Sequence, residues 1–133
     1  MIDQITVFLE NKRGRLADLC RTMADAGVNM RALSIAETSD YGVIRIIADD
    51  TEKARAALKA EGFAGSVAKV TAVELPNEPG SLARLLELLD QHGYDVHYGY
   101  CFSIGEGKAI DVLKIHRAEE AAEVIEEAGY RLL

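Results

Sequence analysis

The sequence predicts an α+β fold built from two β-α-β-β-α-β units, each an antiparallel sheet carrying two helices on one face. Three observations predict it. The segment Asn11-Lys12-Arg13-Gly14-Arg15-Leu16-Ala17-Asp18-Leu19 recurs 66 residues later as Asn77-Glu78-Pro79-Gly80-Ser81-Leu82-Ala83-Arg84-Leu85. Within each copy the hydrophobic period changes in the same order, from alternation to helical spacing and back. Glycines recur at matching stops, Gly27 with Gly93 and Gly62 with Gly129.

Each copy opens on alternating apolar residues, Ile5, Val7, Leu9 and Thr71, Val73, Leu75, which reads as a strand with one buried face. A helix follows. Its stripe Leu16, Leu19, Cys20, Met23, Ala24 keeps the i, i+3, i+4, i+7, i+8 spacing and is mirrored by Leu82, Leu85, Leu86, Leu89. Gly27 and Gly93 end these helices because glycine accepts positive φ. A second strand covers about Asn29 to Glu37 and Asp95 to Ser103, and a third Val43 to Ala48 and Ala109 to Ile115. The two pair as a hairpin across Ser39-Asp40-Tyr41-Gly42 in copy one. Copy two has one residue more, in Ile104-Gly105-Glu106-Gly107-Lys108, since turns absorb insertions best.

Asp49 to Glu52 has the form of a capping box for a second helix with Ala54, Ala57 and Leu58 inward, matched by Ala121, Val124 and Ile125. A short last strand falls at about Ser66 to Lys69 and at Tyr130 to Leu133. The order is that of a ferredoxin-like fold, with one unit at 1–68 and the other at 69–133. In copy two Val96, Tyr98, Tyr100 and Phe102 share a strand face opposite His97, Gly99, Cys101 and Ser103. The matching copy-one row, Met30, Ala32, Ser34, Ala36, is small. A unit of this size with a single helical layer leaves a sheet face uncovered, which predicts packing between units or chains and hence a homodimer.

Composition narrows the function. The 133 residues carry a net charge of −7, with 49% hydrophobic and 6% aromatic residues, as in a soluble globular chain. No apolar run approaches the ~18 residues a membrane span requires, and Met1-Ile2-Asp3 lacks the basic start of a secretion signal, so the expected location is cytoplasmic. A pI near 4.9 without a basic patch argues against nucleic acid. Cys20 and Cys101 read as packed free thiols rather than a disulfide. Acidic residues concentrate in the second half, where 12 acidic stand against 6 basic, largely through Glu119, Glu120, Glu123, Glu126 and Glu127. Opposite Ala121, Val124 and Ile125, these form a solvated helix face.

The repeated loop carries the chemistry. An Asn, then a Gly three residues on, then a helix start leave backbone N–H groups beside the positive end of a helix dipole, a setting suited to a carboxylate. A tight turn with Pro and Gly at favoured positions accounts for the same residues structurally. The pattern Asn-x-Pro-Gly-x-Leu-Ala, then Gly-Tyr/Val-Asp/Asn, within a βαββαβ unit resembles the ACT domain. The whole chain resembles a stand-alone tandem pair of them.

That resemblance implies a regulatory module that binds an amino acid at ACT–ACT interfaces and controls amino-acid metabolism, with no catalytic domain and no cofactor. Carried over by position, it places ligand binding on Asn11 and Gly14, on Asn77, Pro79 and Gly80, and on Asn29 and Asp95 at the second-strand starts. An α-carboxylate would take the N–H groups near Gly14 or Gly80, and an α-ammonium the oxygens of Asn11, Asn29, Asn77 and Asp95. Lys12-Arg13 departs from the family's pattern in copy one. Asp95 stands where Asn is usual, which favours a neutral over an acidic amino acid.

Other chemistries are weaker. His92, His97 and His116 lie on three elements without metal-ligand spacing, and Cys101 with His97 or His116 meets the same objection as a nucleophile pair. Gly105-Glu106-Gly107 is a hairpin turn, not a dinucleotide loop. The competing class is a ligand-free interaction protein, a regulatory subunit of a separate enzyme that docks through its sheet and acidic helix.

Overall fold

The structure, a computed structural model, describes residues 1–38 and 40–133. Ser39, the first residue of the copy-one turn, lies outside them. In chain order the elements are β1 (Ile2–Glu10), α1 (Arg15–Asp25), β2 (Met30–Glu37), β3 (Tyr41–Ala48), α2 (Thr51–Ala60), β4 (Ala64–Pro76), α3 (Ser81–Gln91), β5 (Val96–Gly105), β6 (Lys108–Ile115), α4 (Ala118–Glu127) and β7 (Arg131–Leu132). They form two compact units, Asp3–Ala68 and Lys69–Leu133, the latter with Met1–Ile2. Each is a ferredoxin-like α+β unit. No helix among the described residues is long and apolar enough to cross a membrane.

In the N-terminal unit the strands run β2-β3-β1, with the start of β4 beside β1. Gly65 on β4 is glycine for a local reason: a Cβ there would stand 3.1 Å from the Thr6 carbonyl oxygen. The core gathers Ile5, Val7 and Leu9 from β1, Ile44 and Ile46 from β3, Leu19 and Met23 from α1, and Ala54 and Leu58 from α2. Cys20 packs at its margin, whereas Ala24, expected inward, is exposed.

The C-terminal unit repeats the arrangement. Strands β5, β6 and the second part of β4 pair antiparallel in that order, and β7 pairs the other side of β4 through Val73 with Leu132 and Glu74 with Arg131. Val73, Leu75, Leu85, Leu89, Leu113, Ile115, Ala121 and Ile125 make its core. Burial on one face is what specifies this register, since a one-residue slip would turn every core side chain to water.

Further expectations need correction. The segment expected as two strands, Ser66 to Lys69 and Thr71 to Leu75, is the single strand β4, because nothing between them breaks the extended backbone. The N-cap of α2 is Asp50, whose side chain accepts from the Lys53 N–H at 3.0 Å, so the box expected from Asp49 to Glu52 does not form. Asp49 instead accepts from the Asn29 N–H at 3.0 Å.

Both second strands carry a bulge, between Met30 and Ala32 and between Val96 and Tyr98. An extra residue there reverses the alternation, so Met30 and Val96 pack toward the helices rather than with the rows expected for them. Cys101, expected to be packed, is exposed, because β5 is an edge strand.

Candidate functional site

Each repeated loop bends into its helix through a left-handed glycine. Gly14 has φ 89° and Gly80 φ 88°, and each is the N-cap of its helix with no side chain capping the first turn. The Asp18 N–H bonds the Gly14 carbonyl at 2.9 Å and the Arg84 N–H the Gly80 carbonyl at 3.0 Å, which closes the first helical bonds. The Arg15 and Ser81 N–H groups turn back onto the Lys12 and Glu78 carbonyls at 3.3 and 3.4 Å, so the next N–H groups of each first turn are the ones at the positive end of the dipole.

In the N-terminal unit the Asn11 side-chain N–H donates to the Thr38 carbonyl at 3.3 Å. That bond ties the loop to the end of β2. Beside it opens a cleft of about 390 Å³ lined by Asn11, Lys12, Arg15, Leu16, Ile35 and Gly42, among others. Lys12 lies 2.8 Å from Glu10, and that hydrogen bond together with the charge holds the Glu10 carboxyl below its usual value. The Arg15 guanidinium stacks 4.6 Å over the Phe63 ring. A further cleft of about 500 Å³, between α1 and α2, contains none of the predicted residues.

In the C-terminal unit the Asn77 N–H donates to the Gly107 carbonyl at 2.7 Å, and the Glu78 N–H to the Pro76 carbonyl at 3.0 Å. Pro79 is exposed in the turn that follows. The Arg84 guanidinium bonds Glu78 at 3.2 Å and Ser81 at 3.3 Å, and reaches to 3.0 Å of where a Cβ on Gly80 would be. A cation thus stands over the uncapped end of α3. The sequence reading omitted Arg84 and Arg15, although both arginines fall inside the repeated segment.

Asn29 and Asp95 are elsewhere. Asn29 bonds Asp49 at the end of β3, while Asn11 lies against Gly42 near its start. Gly42 and Asp49 are seven steps apart along the chain, roughly 20 Å in a strand. Asp95 accepts from the His116 N–H at 2.9 Å past the end of β6, and Asn77 bonds Gly107 before its start. Within one unit, then, the loop residues and the second-strand residues sit at opposite ends of the sheet.

The other candidates come apart similarly. His97 and His116 rings are 6.2 Å apart, but His92 turns its Nδ1 to the Leu88 carbonyl at 2.9 Å. Among the described residues no group of three metal-ligating side chains converges.

One feature escaped sequence reading. Between α3 and β5 runs a groove of about 320 Å³ lined by Leu82, Leu86, Tyr98, Cys101, Asp111 and Leu113, among others. Asp111 is 7% exposed, and burial alone pushes its carboxyl pKa up. A charged residue inside the apolar run Ala109 to Leu113 was the available signal.

A family model described as the ACT domain pair matches residues 1–132. Among solved structures, protein BT0572 from Bacteroides thetaiotaomicron is similar with a TM-score of 0.94 and 36% identity, covering 99% of this chain and 91% of that one. The ligand-free regulatory subunit of aspartate kinase from Thermus thermophilus is similar in fold, with a TM-score of 0.70, 17% identity and coverage of 96% and 92%. Its counterpart from Thermus flavus gives 0.64, 15%, 95% and 91%. No curated protein matches the sequence.

Proposed function

The chain belongs to the ACT domain pair family, and from that premise we propose that it is a regulatory module that senses a neutral amino acid and has no catalytic role of its own. The observation that carries this reading is the duplicated, uncapped helix start behind a left-handed glycine at Gly14 and Gly80. Such an end offers directed N–H donors to an α-carboxylate. The relatives named as aspartate kinase regulatory subunits support regulation as the kind of task.

In this reading residues 1–68 and 69–133 are the two ACT repeats. The ligand's carboxylate sits at Gly14 or at Pro79-Gly80, beside Arg15 or Arg84, with Asn11 or Asn77 on its flank. Its ammonium goes to Asn29 or Asp95. Because those residues lie at the far end of their own sheets, the second half of each site comes from another ACT unit, supplied by a second copy of the chain in a homodimer. Binding then shifts the balance between arrangements by its differential affinity, which is how a separate enzyme of amino-acid metabolism would be controlled. The Asp95 carboxylate repels an acidic ligand, so a neutral amino acid fits best. Two free cysteines support a reducing, cytoplasmic setting.

The second reading is a ligand-free docking subunit, favoured by the acidic exposed face of α4. A thermal-shift screen of the full chain against the twenty amino acids separates the two, since a ligand bound only by the folded state raises the midpoint. We expect a rise with one or a few neutral amino acids, abolished in Asn77→Ala/Asp95→Ala while the unliganded midpoint is kept. No rise at millimolar amino acid would exclude the sensor and leave the docking subunit.

A further inference from the structure

Asp111 and Ile44 hold the same place in the two units. Ile44 pairs with Val7 on one side and Ile35 on the other, and Asp111 pairs with Val73 and Cys101, the same positions one repeat on. Ile44 is 2% exposed in the N-terminal core. Asp111, at 7% exposed, is also buried, yet it is a carboxylate on the helix-facing side of β6, next to the core residue Leu113.

The residues across from it are smaller than their N-terminal counterparts. Where the N-terminal unit has Leu33 and Ile35 on its edge strand, β5 has Gly99 and Cys101. Between β5 and α3 runs the groove of about 320 Å³ that Asp111 lines. Its walls are apolar: Leu82 and Leu86 from α3, Leu113 from β6 and Val96 from β5. Leu82 and Leu86 are 41% and 37% exposed, although they belong to the helix's apolar stripe.

A carboxylate enclosed without a counter-charge costs stability, and a bound cation that donates hydrogen bonds offsets that cost. Burial raises the Asp111 pKa, and among the described residues no hydrogen bond or ion pair reaches its carboxylate. The titratable side chain on its face of β5 is the Cys101 thiol, since Tyr98 and Tyr100 alternate to the other face of the sheet. From β4 it meets Val73, and from α3 the groove receives Leu82 and Leu86, none of which titrates.

We propose that this groove is a binding site for a small primary amine with an apolar body, its ammonium on the Asp111 carboxylate and its body against Leu82, Leu86 and Leu113. A volume at the low end of ligand pockets suits a body of only a few carbons or one ring. The site is separate from the loops of Asn11 and Asn77 and stands whether or not they bind an amino acid.

The test is a titration of the full chain near neutral pH with isoamylamine and with isoamyl alcohol, its uncharged counterpart, followed by amide NMR. The expected result is movement of the Gly99, Cys101 and Leu113 signals, with the amine binding about tenfold more tightly than the alcohol. Asp111→Asn, which keeps the shape, brings the amine down to the level of the alcohol, and Asp111→Ile, which copies the N-terminal unit, does the same. Asn77→Ala leaves amine binding unchanged, so failure of the loop reading is told apart from failure of this one. Equal affinity for amine and alcohol, or undiminished amine binding in Asp111→Asn, overturns the proposal. So does movement of the same signals with protein concentration alone, which would mean that a second copy fills the groove.

Discussion

Asn29 and Asp49 are bonded to each other twice, the Asn29 N–H donating to the Asp49 carboxylate at 3.0 Å and the Asp49 N–H to the Asn29 carbonyl at 3.0 Å. Both bonds engage Asn29 through its backbone, at the open end of the β2–β3 hairpin. In the C-terminal unit the equivalent pair is Asp95 and His116, and only the backbone bond to the Asp95 carbonyl is kept, at 2.9 Å. Asp49→Ala should therefore cost about 1 kcal/mol, the usual net worth of one such bond. His116→Ala should stay within about 0.5 kcal/mol, as surface substitutions do. Urea unfolding of both variants checks the contrast, and equal losses would contradict it.

Gly14 and Gly80 turn the chain through φ values that side chains other than glycine's rarely adopt. Alanine at either position should destabilise by about 1 kcal/mol, the cost of a left-handed residue bearing a Cβ. Around Gly14 a Cβ meets nothing within 4 Å, and at Gly80 it meets only the mobile end of Arg84 at 3.0 Å. The two losses should thus agree closely in denaturation midpoint. A much larger loss at Gly80 would mean that Arg84 is held rigidly.

Gly99 is constrained by space rather than by dihedral angle. A Cβ there would stand 2.7 Å from Leu113 Cδ2 and 3.2 Å from the Val112 carbonyl oxygen. The leucine end can swing aside, but the carbonyl belongs to a paired strand. Gly99→Ala should cost about 1 to 3 kcal/mol as overpacking. Calorimetry would read this as a lowered midpoint, and an unchanged midpoint would show that β5 yields freely.

Asp111 makes stability depend on pH in a defined direction. Its folded pKa lies above the unfolded value, so the native state binds the proton more tightly. The contribution is fully present below the unfolded aspartate pKa and is lost as pH rises through the folded one. Asp111→Asn removes the group, so wild type minus variant stability should fall with rising pH across that window. Unfolding at a series of pH values measures it, and a difference independent of pH would rule out the linkage.

Leu19 and Leu85 are the same residue of the same helix in the two units, both with no exposed surface. Truncation to alanine should cost about 2 to 5 kcal/mol at either. Denaturant midpoints test this, and a loss under 1 kcal/mol at one of them would mean that its core collapses around the gap.

Much of the fold was legible because it rests on local signals. Alternation and helical spacing report which face is buried, and Gly27 and Gly93 end α1 and α3 with φ of 70° and 76° as expected. The Glu106-Gly107 turn, with φ of 55° and 71°, likewise follows from its composition. What failed depended on neighbours. No periodicity announces a bulge, so the sides taken by Met30 and Val96 were misread. Asp49 and Asp50 are interchangeable as caps until a strand start competes for one of them.

Alone, the sequence determined the duplication, the order of the elements and the glycine turns of the two loops, because a repeated pattern of turn residues and apolar spacing is written residue by residue. Tertiary structure decided distance and exposure. The roughly 20 Å between Asn11 and Asn29 arises from the antiparallel path of β3 between them, and no spacing along the chain encodes it. The groove at Asp111 likewise exists because an edge strand brings Gly99 and Cys101 opposite Leu82 and Leu86, 13 or more residues earlier in the chain. A buried carboxylate becomes visible only when the side chains that enclose it have been assembled.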